Sequence, residues 1–193
     1  MQAELPSMRW RRIQVPGSIT LMQLADALLV TMGWLGYHLY EYRIGGEAYG
    51  DPDPDFDDGR EVRNQRPIRL ERVVRDIGEQ FQFLYDFGDG WVHDVTLEAI
   101  ARPEPRTRYP RVIAGERACP PEDVGGPHGY ADFRAAIEDP SNDAHAQLLD
   151  WVGGEFDPDW YDIGTVNEFF EFGPWWWVFA SASSVAIFSM SPR

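Results

Sequence analysis

Apolar side chains at Leu21, Leu24, Ala25, Leu28, Leu29 and Met32 recur at the spacing of one helical face, which predicts an amphipathic helix over residues 20–32. Thr20 and Gln23 stand at capping-box spacing at its start, and Gly33 is placed to stop it in a left-handed conformation. Over residues 38–44 the period falls to two. His38, Tyr40, Tyr42 and Ile44 oppose Glu41 and Arg43, as in a half-buried strand closed by Gly45 and Gly46. Helical spacing returns at Leu70, Val73, Val74 and Ile77, ahead of Gly78. Two further alternating runs, Phe81, Phe83, Tyr85 and then Trp91, His93, Val95, Leu97, flank the turn DFGDG at residues 86–90 and read as a β-hairpin. Residues 103–127 are rich in proline, glycine and arginine without periodicity, which predicts an ordered loop. Beyond it Tyr130, Phe133 and Ile137 form one helical stripe, and His145, Leu148, Leu149 and Val152 another behind an Asn142 cap; a third helix is expected over residues 163–172.

Strands therefore occupy the middle of the chain and helices its ends, without the regular alternation of a doubly wound sheet. The expected class is α+β: a mixed or antiparallel sheet with a central β-hairpin, an N-terminal amphipathic helix and C-terminal helices packed on it. Residues 1–172 read as one domain and residues 173–193 as an atypical apolar C-terminal tail.

Composition narrows the chemistry. With 44% hydrophobic and 14% aromatic residues, the 193-residue chain has enough apolar surface to offset the entropy of folding. A formal net charge of −15 repels phosphate backbones, so nonspecific nucleic-acid binding is disfavoured and a protein or peptide partner with cationic groups is favoured. Arg9, Arg11 and Arg12 run against that sign and read as a solvated, arginine-rich strand face. All 17 basic residues are arginine, which removes Schiff-base and phosphate-loop lysine chemistry. Cys119 is the single cysteine and no signal-peptide pattern opens the chain, so a cytoplasmic location is expected.

Two segments are tempting but weak. In DPDPDFDDG, residues 51–59, alternating Asp51, Asp53 and Asp55 suggest a calcium loop, yet Phe56 and Val62 stand where that loop needs glycine and glutamate, so a solvated acidic loop is expected. The uncharged run over residues 173–192 approaches the length of a membrane span, but its serines and alanines lower its apolarity. A membrane anchor is therefore disfavoured, and a degenerate or frame-shifted tail that packs loosely, or that drives association through exposed tryptophans, is expected.

The hairpin and the glycine-rich loop carry the residues with chemical potential. Asp86, Asp89, His93 and Asp94 with Glu122, Asp123 and His128 supply carboxylates and imidazoles suited to zinc or manganese, the ingredients of a metal-dependent hydrolase. The competing reading is architectural: Asp86 and Asp89 cap turn amides around Gly88 and Gly90, and His93 shares a buried strand face with Trp91 and Val95. Cys119 with His93 or His128 lacks a third orienting group and is expected to be packed rather than nucleophilic. No catalytic constellation is complete. The favoured expectation is thus a noncatalytic binding module whose surface comprises Asp86, Asp89, Trp91, His93, Glu122, Asp123, Gly125, Gly126 and Tyr130, with Trp91, Tyr130 and Trp151 as aromatic anchors.

Three segments, RWRRIQVPGSITLMQLADALLVTMGWLGYHLYEYRIGG, LYDFGDGWVHDVTLE, and ACPPEDVGGPHGY with its follow-on WVGGEFDP, stand in an order that resembles the plasmid pRiA4b ORF-3-like family over about residues 9–170. The resemblance implies an α+β fold and an accessory role associated with plasmids or insertion elements, where some members are labelled resolvase passengers. A serine recombinase is not expected, since Ser7 and Ser18 sit in no resolvase context. Two departures from the family pattern are evident. Only eight residues precede Arg9 where the family usually has a further strand, so either the start is assigned too far downstream or a strand is missing, which would leave a sheet edge open to pairing with another chain. The apolar ending also replaces a polar one.

Overall fold

The computed structural model describes residues 9–52, 61–172 and 183–192. In chain order the elements are β1 (Trp10–Pro16), α1 (Leu21–Met32), β2 (Tyr40–Ile44), β3 (Glu47–Gly50), β4 (Val62–Asn64), α2 (Leu70–Val73), β5 (Gln80–Tyr85), β6 (Trp91–Ala101), β7 (Arg111–Glu116), α3 (Gly126–Glu138), α4 (His145–Trp151), α5 (Ile163–Phe172) and β8 (Val185–Pro192). The strands form one eight-stranded sheet in the order β4-β3-β2-β5-β6-β8-β1-β7, antiparallel except for the β3–β4 pair. With five helices beside this mixed sheet, the fold is α+β.

Local signals produce the elements that were legible. In α1 the Thr20 hydroxyl accepts from the Gln23 amide while the Gln23 side chain accepts from the Thr20 amide, and Gly33 ends the helix at φ 79° with its amide bonded to the last turn. The apolar stripe of α1 is buried over the sheet, where the Tyr42 hydroxyl donates to the Leu21 carbonyl. On the hairpin, Phe81, Phe83 and Tyr85 of β5 and Trp91, His93, Val95 and Leu97 of β6 all point into this core, with Phe83 paired to His93 in register.

Other segments depart from expectation. Residues 103–127 contain β7, an edge strand paired only with β1; it buries Val112 alone among its six residues, too little for an alternating signature. The four-residue β3 is likewise too short to announce itself. Helix α2 stops at Val73, because Val74 is already extended. The strand expected from residue 38 begins only at Tyr40, which leaves His38 in the connection after Gly36.

The largest correction concerns the apolar ending. Residues 173–182 and 193 lie outside the described residues, but the segment expected to pack loosely supplies β8, inserted between β6 and β1 and paired along its length to both. Ala186, Phe188 and Met190 are buried on one face, so the period-two signal of a strand was present. The expected open edge at the first strand is also corrected: β1 is flanked by β7 and β8. Among the described residues no helix is long and apolar enough to cross a membrane. Of the supposed calcium loop, Asp53 and Asp55 lie outside the described residues, and Asp51 forms an ion pair with Arg66 at 3.0 Å.

The arginines of β1 are not a solvated face. Period two sends Arg9 and Arg11 inward, each 2% exposed, and turns Arg12 outward to a 2.5 Å bridge with Glu98. The Arg11 guanidinium lies 3.5 Å over the Tyr161 ring and donates to the carbonyls of Trp10, Thr31, Glu116 and Arg117 and to the Cys119 sulfur. Arg9 donates to the Ala118 carbonyl and lies over the Tyr130 ring at 4.5 Å.

Candidate functional site

Three connections meet at one end of the β5–β6 hairpin: residues 33–39 after α1, the DFGDG turn, and residues 117–126 before α3. Asp86 opens the turn at φ 52°, and its Oδ1 accepts from the amides of Gly88 and Asp89 at 2.9 and 3.2 Å, the turn-capping role open to an aspartate there. Its own amide donates to the Leu39 carbonyl at 3.0 Å, which fastens the turn to residues 33–39. Asp89 reaches the other way, its Oδ2 accepting from the Gly125 amide at 3.1 Å.

Glu122 ties its own connection to residues 33–39 and to the end of β5. Its carboxylate accepts from the Leu35 amide at 2.8 Å and from the Tyr85 hydroxyl. Burial first, and then this carboxylate, push the Tyr85 phenol well above its ordinary value, so it remains a donor. Trp34 completes the frame: its indole donates to the Pro120 carbonyl at 2.8 Å while its ring stacks on Tyr85, 5.0 Å between centroids.

Close backbone approach makes two glycines necessary. A Cβ on Gly126, whose φ is 68°, would stand 2.4 Å from the Asp89 carbonyl oxygen, and one on Gly129 would stand 2.0 Å from that of Val124. We expect Gly126→Ala to lower stability by about 2 kcal/mol, through overpacking and a strained left-handed backbone, and to lift the 117–126 loop off the turn. Urea unfolding with amide exchange at Gly125 checks both effects; unchanged protection at Gly125 would refute the docking role.

The seven residues expected to hold a metal do not converge. Asp86 and Asp123 approach one another, but the imidazole between them belongs to His38. Its Nε2 is 2.9 Å from Asp123 Oδ1 and 3.6 Å from Asp86 Oδ2, and the three ligand atoms lie within 4.8 Å of one another. Asp89 and Glu122 are engaged in the frame, and His128 is exposed in the first turn of α3 outside this group. His93 is buried in the core beside Trp34 at 5.5 Å, and burial lowers it from 6.5 to about 4, which keeps it neutral.

His38 continues the alternation of β2 in the sequence, which hides its place in the connection. The usable signal was Gly36 two residues earlier, which at φ 75° detaches His38 from the strand. The expected aromatic anchors are corrected as well: Trp91 and Tyr130 are buried, and only Trp151 is exposed, at 48%. Leu35, Tyr37, Leu39 and Phe87 are the exposed apolar side chains around the turn.

Cys119 is half-buried, and burial raises its thiol although Arg11 and Arg9 oppose the rise. It shares with His93 a crevice of about 10 Å³, too small for a substrate.

Comparison with known proteins is consistent in fold and sequence. The uncharacterised protein y4hQ of Sinorhizobium fredii (strain NBRC 101917 / NGR234) is 42% identical over 158 residues, covering 81% of this chain and 78% of that relative. The crystal structure of MM3350 from Methanosarcina mazei Go1, a protein of unknown function, superposes with a TM-score of 0.75 at 29% identity, covering 84% of this chain and 92% of that one. Residues 3–165 match the family described as plasmid pRiA4b ORF-3-like protein, and the chain belongs to that family.

Proposed function

We propose that the chain is a noncatalytic binding module that receives an apolar peptide segment with basic flanks. The observation that carries this reading is an open depression of about 350 Å³ whose lining includes Met32, Pro120, Pro121, Trp151, Val152 and Phe156, together with Glu122. Glu122 also accepts from the Leu35 amide, and the connection that carries Leu35 exposes Leu35, Tyr37 and Leu39, as the turn exposes Phe87. Clustered apolar side chains on a surface favour a partner over water.

The polar groups behind this surface support the same reading. Asp86 Oδ1 bonds amides of its own turn, and Asp89 and Glu122 bond amides of neighbouring connections, so they stiffen the frame that presents the apolar groups. A rigid receptor loses little entropy on binding. The net charge of −15 favours arginine- or lysine-containing partners and speeds their encounter.

The test is fluorescence anisotropy with a panel of labelled leucine- and arginine-containing peptides against the full chain. The tightest peptide is expected to lose roughly tenfold or more in affinity with Trp151→Ala and with Tyr37→Ala, and to weaken as salt rises. Affinity indifferent to both substitutions, or a panel that does not bind at all, would remove this reading.

A further inference from the structure

We propose that His38, Asp86 and Asp123 form a zinc-binding site at the outer end of the hairpin. The inference does not depend on the peptide-binding reading, because it rests on donor atoms rather than on the apolar surface.

The spacing suits a metal. Ligands about 2.1 Å from a tetrahedral zinc are separated from one another by about 3.4 Å, and the His38 Nε2 distances of 2.9 and 3.6 Å to the two carboxylates bracket that value. The third pair of ligand atoms lies within 4.8 Å, so a small movement of the exposed Asp123 side chain closes the set.

The environment of each donor supports the same conclusion. His38 Nε2 is withdrawn from solvent, and despite its nearness to Asp123 it is aligned for a hydrogen bond with no acceptor in the structure. A metal at that point would give the nitrogen's lone pair a well-aligned partner. The ring is held edge-on against Tyr85, 5.9 Å between centroids. Asp86 is 10% exposed, and with Oδ1 committed to two amides its Oδ2 faces His38 in a fixed orientation, as outer hydrogen bonds fix metal ligands elsewhere. Asp86 Oδ2 and Asp123 Oδ1 both face the same imidazole nitrogen, so a cation placed there would be attracted by two carboxylates at once.

The donor set selects among cations. One imidazole nitrogen with two carboxylate oxygens fits zinc better than calcium or magnesium, which prefer oxygen throughout. Three protein ligands leave a coordination position toward solvent on the side of Asp123, whose side chain is 63% exposed.

The test uses the full chain, stripped with chelator, dialysed and titrated with zinc chloride by calorimetry. One zinc per chain is expected, with at least about tenfold weaker binding for His38→Ala and for Asp123→Asn and no change for His128→Ala. Zinc is also expected to raise the thermal midpoint of the wild type and not of His38→Ala; His38→Gln replaces that variant should it fail to fold. Substoichiometric zinc, or a titration that His38 variants leave unchanged, would overturn the site. Tight manganese binding without zinc binding would overturn the choice of metal.

Discussion

Replacing Arg11 with methionine is expected to cost about 3–5 kcal/mol of unfolding free energy, read as a lower urea midpoint at unchanged slope. The side chain of methionine fills much of the same space but donates nothing. Arg11 is 2% exposed, and its guanidinium hydrogens go to four carbonyls and a sulfur, with no carboxylate among these partners. Those acceptors lie on β1, on the last turn of α1 and on the chain from Glu116 to Cys119, so one cation ties three segments together. Without it, buried carbonyls lose their donor, each at about 1–3 kcal/mol, and the Tyr161 ring loses the cation 3.5 Å above it. Arg11→Lys, which keeps the charge but not the fork of donors, is expected to fall between the two. A loss below about 1 kcal/mol for Arg11→Met would mean that water replaces the guanidinium, and the account would be wrong.

Acid is expected to destabilise the fold through His93 by about 3 kcal/mol between pH 7 and pH 4. Burial lowers this imidazole from 6.5 to about 4; the Phe83 backbone opposes that fall in part, Arg11 adds to it to a smaller extent, and Asp94 opposes it least. Above pH 6.5 the group is neutral in both folded and unfolded chains and contributes no slope. From 6.5 down to about 4 the unfolded chain takes the proton and the folded one does not, so stability falls as pH falls; below that both are charged. Asp26 works in the opposite sense, since burial raises its carboxyl to about 6 and the folded state takes up that proton first. The difference between wild type and His93→Leu isolates the histidine. Urea unfolding of the pair at several pH values should show a gap that shifts in favour of the variant as pH drops, and a constant gap would exclude His93.

What could be read from the sequence was what the chain decides locally. The capping box of Thr20 and Gln23, the stop at Gly33 and the alternation on either side of DFGDG each depend on residues a few positions apart. The strands β7 and β8 depend on partners far away: Val112 is the single buried residue of its strand, and the alternation of Ala186, Phe188 and Met190 was obscured by a run without charges. The site divides in the same way. Asp86 and Asp89 as turn residues follow from the local spacing of glycine, but the approach of Asp123 to Asp86 follows from loop docking through Gly125 and Gly126. Parity also mattered. His93, Trp91 and Tyr130 occupy inward positions, so they could serve neither as ligand nor as anchor, whereas His38 was freed by a glycine two residues before it.

The position of β8 sets the order in which this molecule can be completed. Arg11 pairs with Met190 and Val95 pairs with the same Met190 from the other side, so the ladder from β4 to β6 and the ladder of β1 with β7 meet across β8. On the ribosome, a nascent chain that has exposed everything up to α5 holds two sheet fragments with facing unpaired edges. Contacts of such sequence separation form slowly, and open edges invite pairing with other chains in the interval. Completion of the sheet therefore waits for β8, and a chain lacking that strand would hold two half-sheets in place of one.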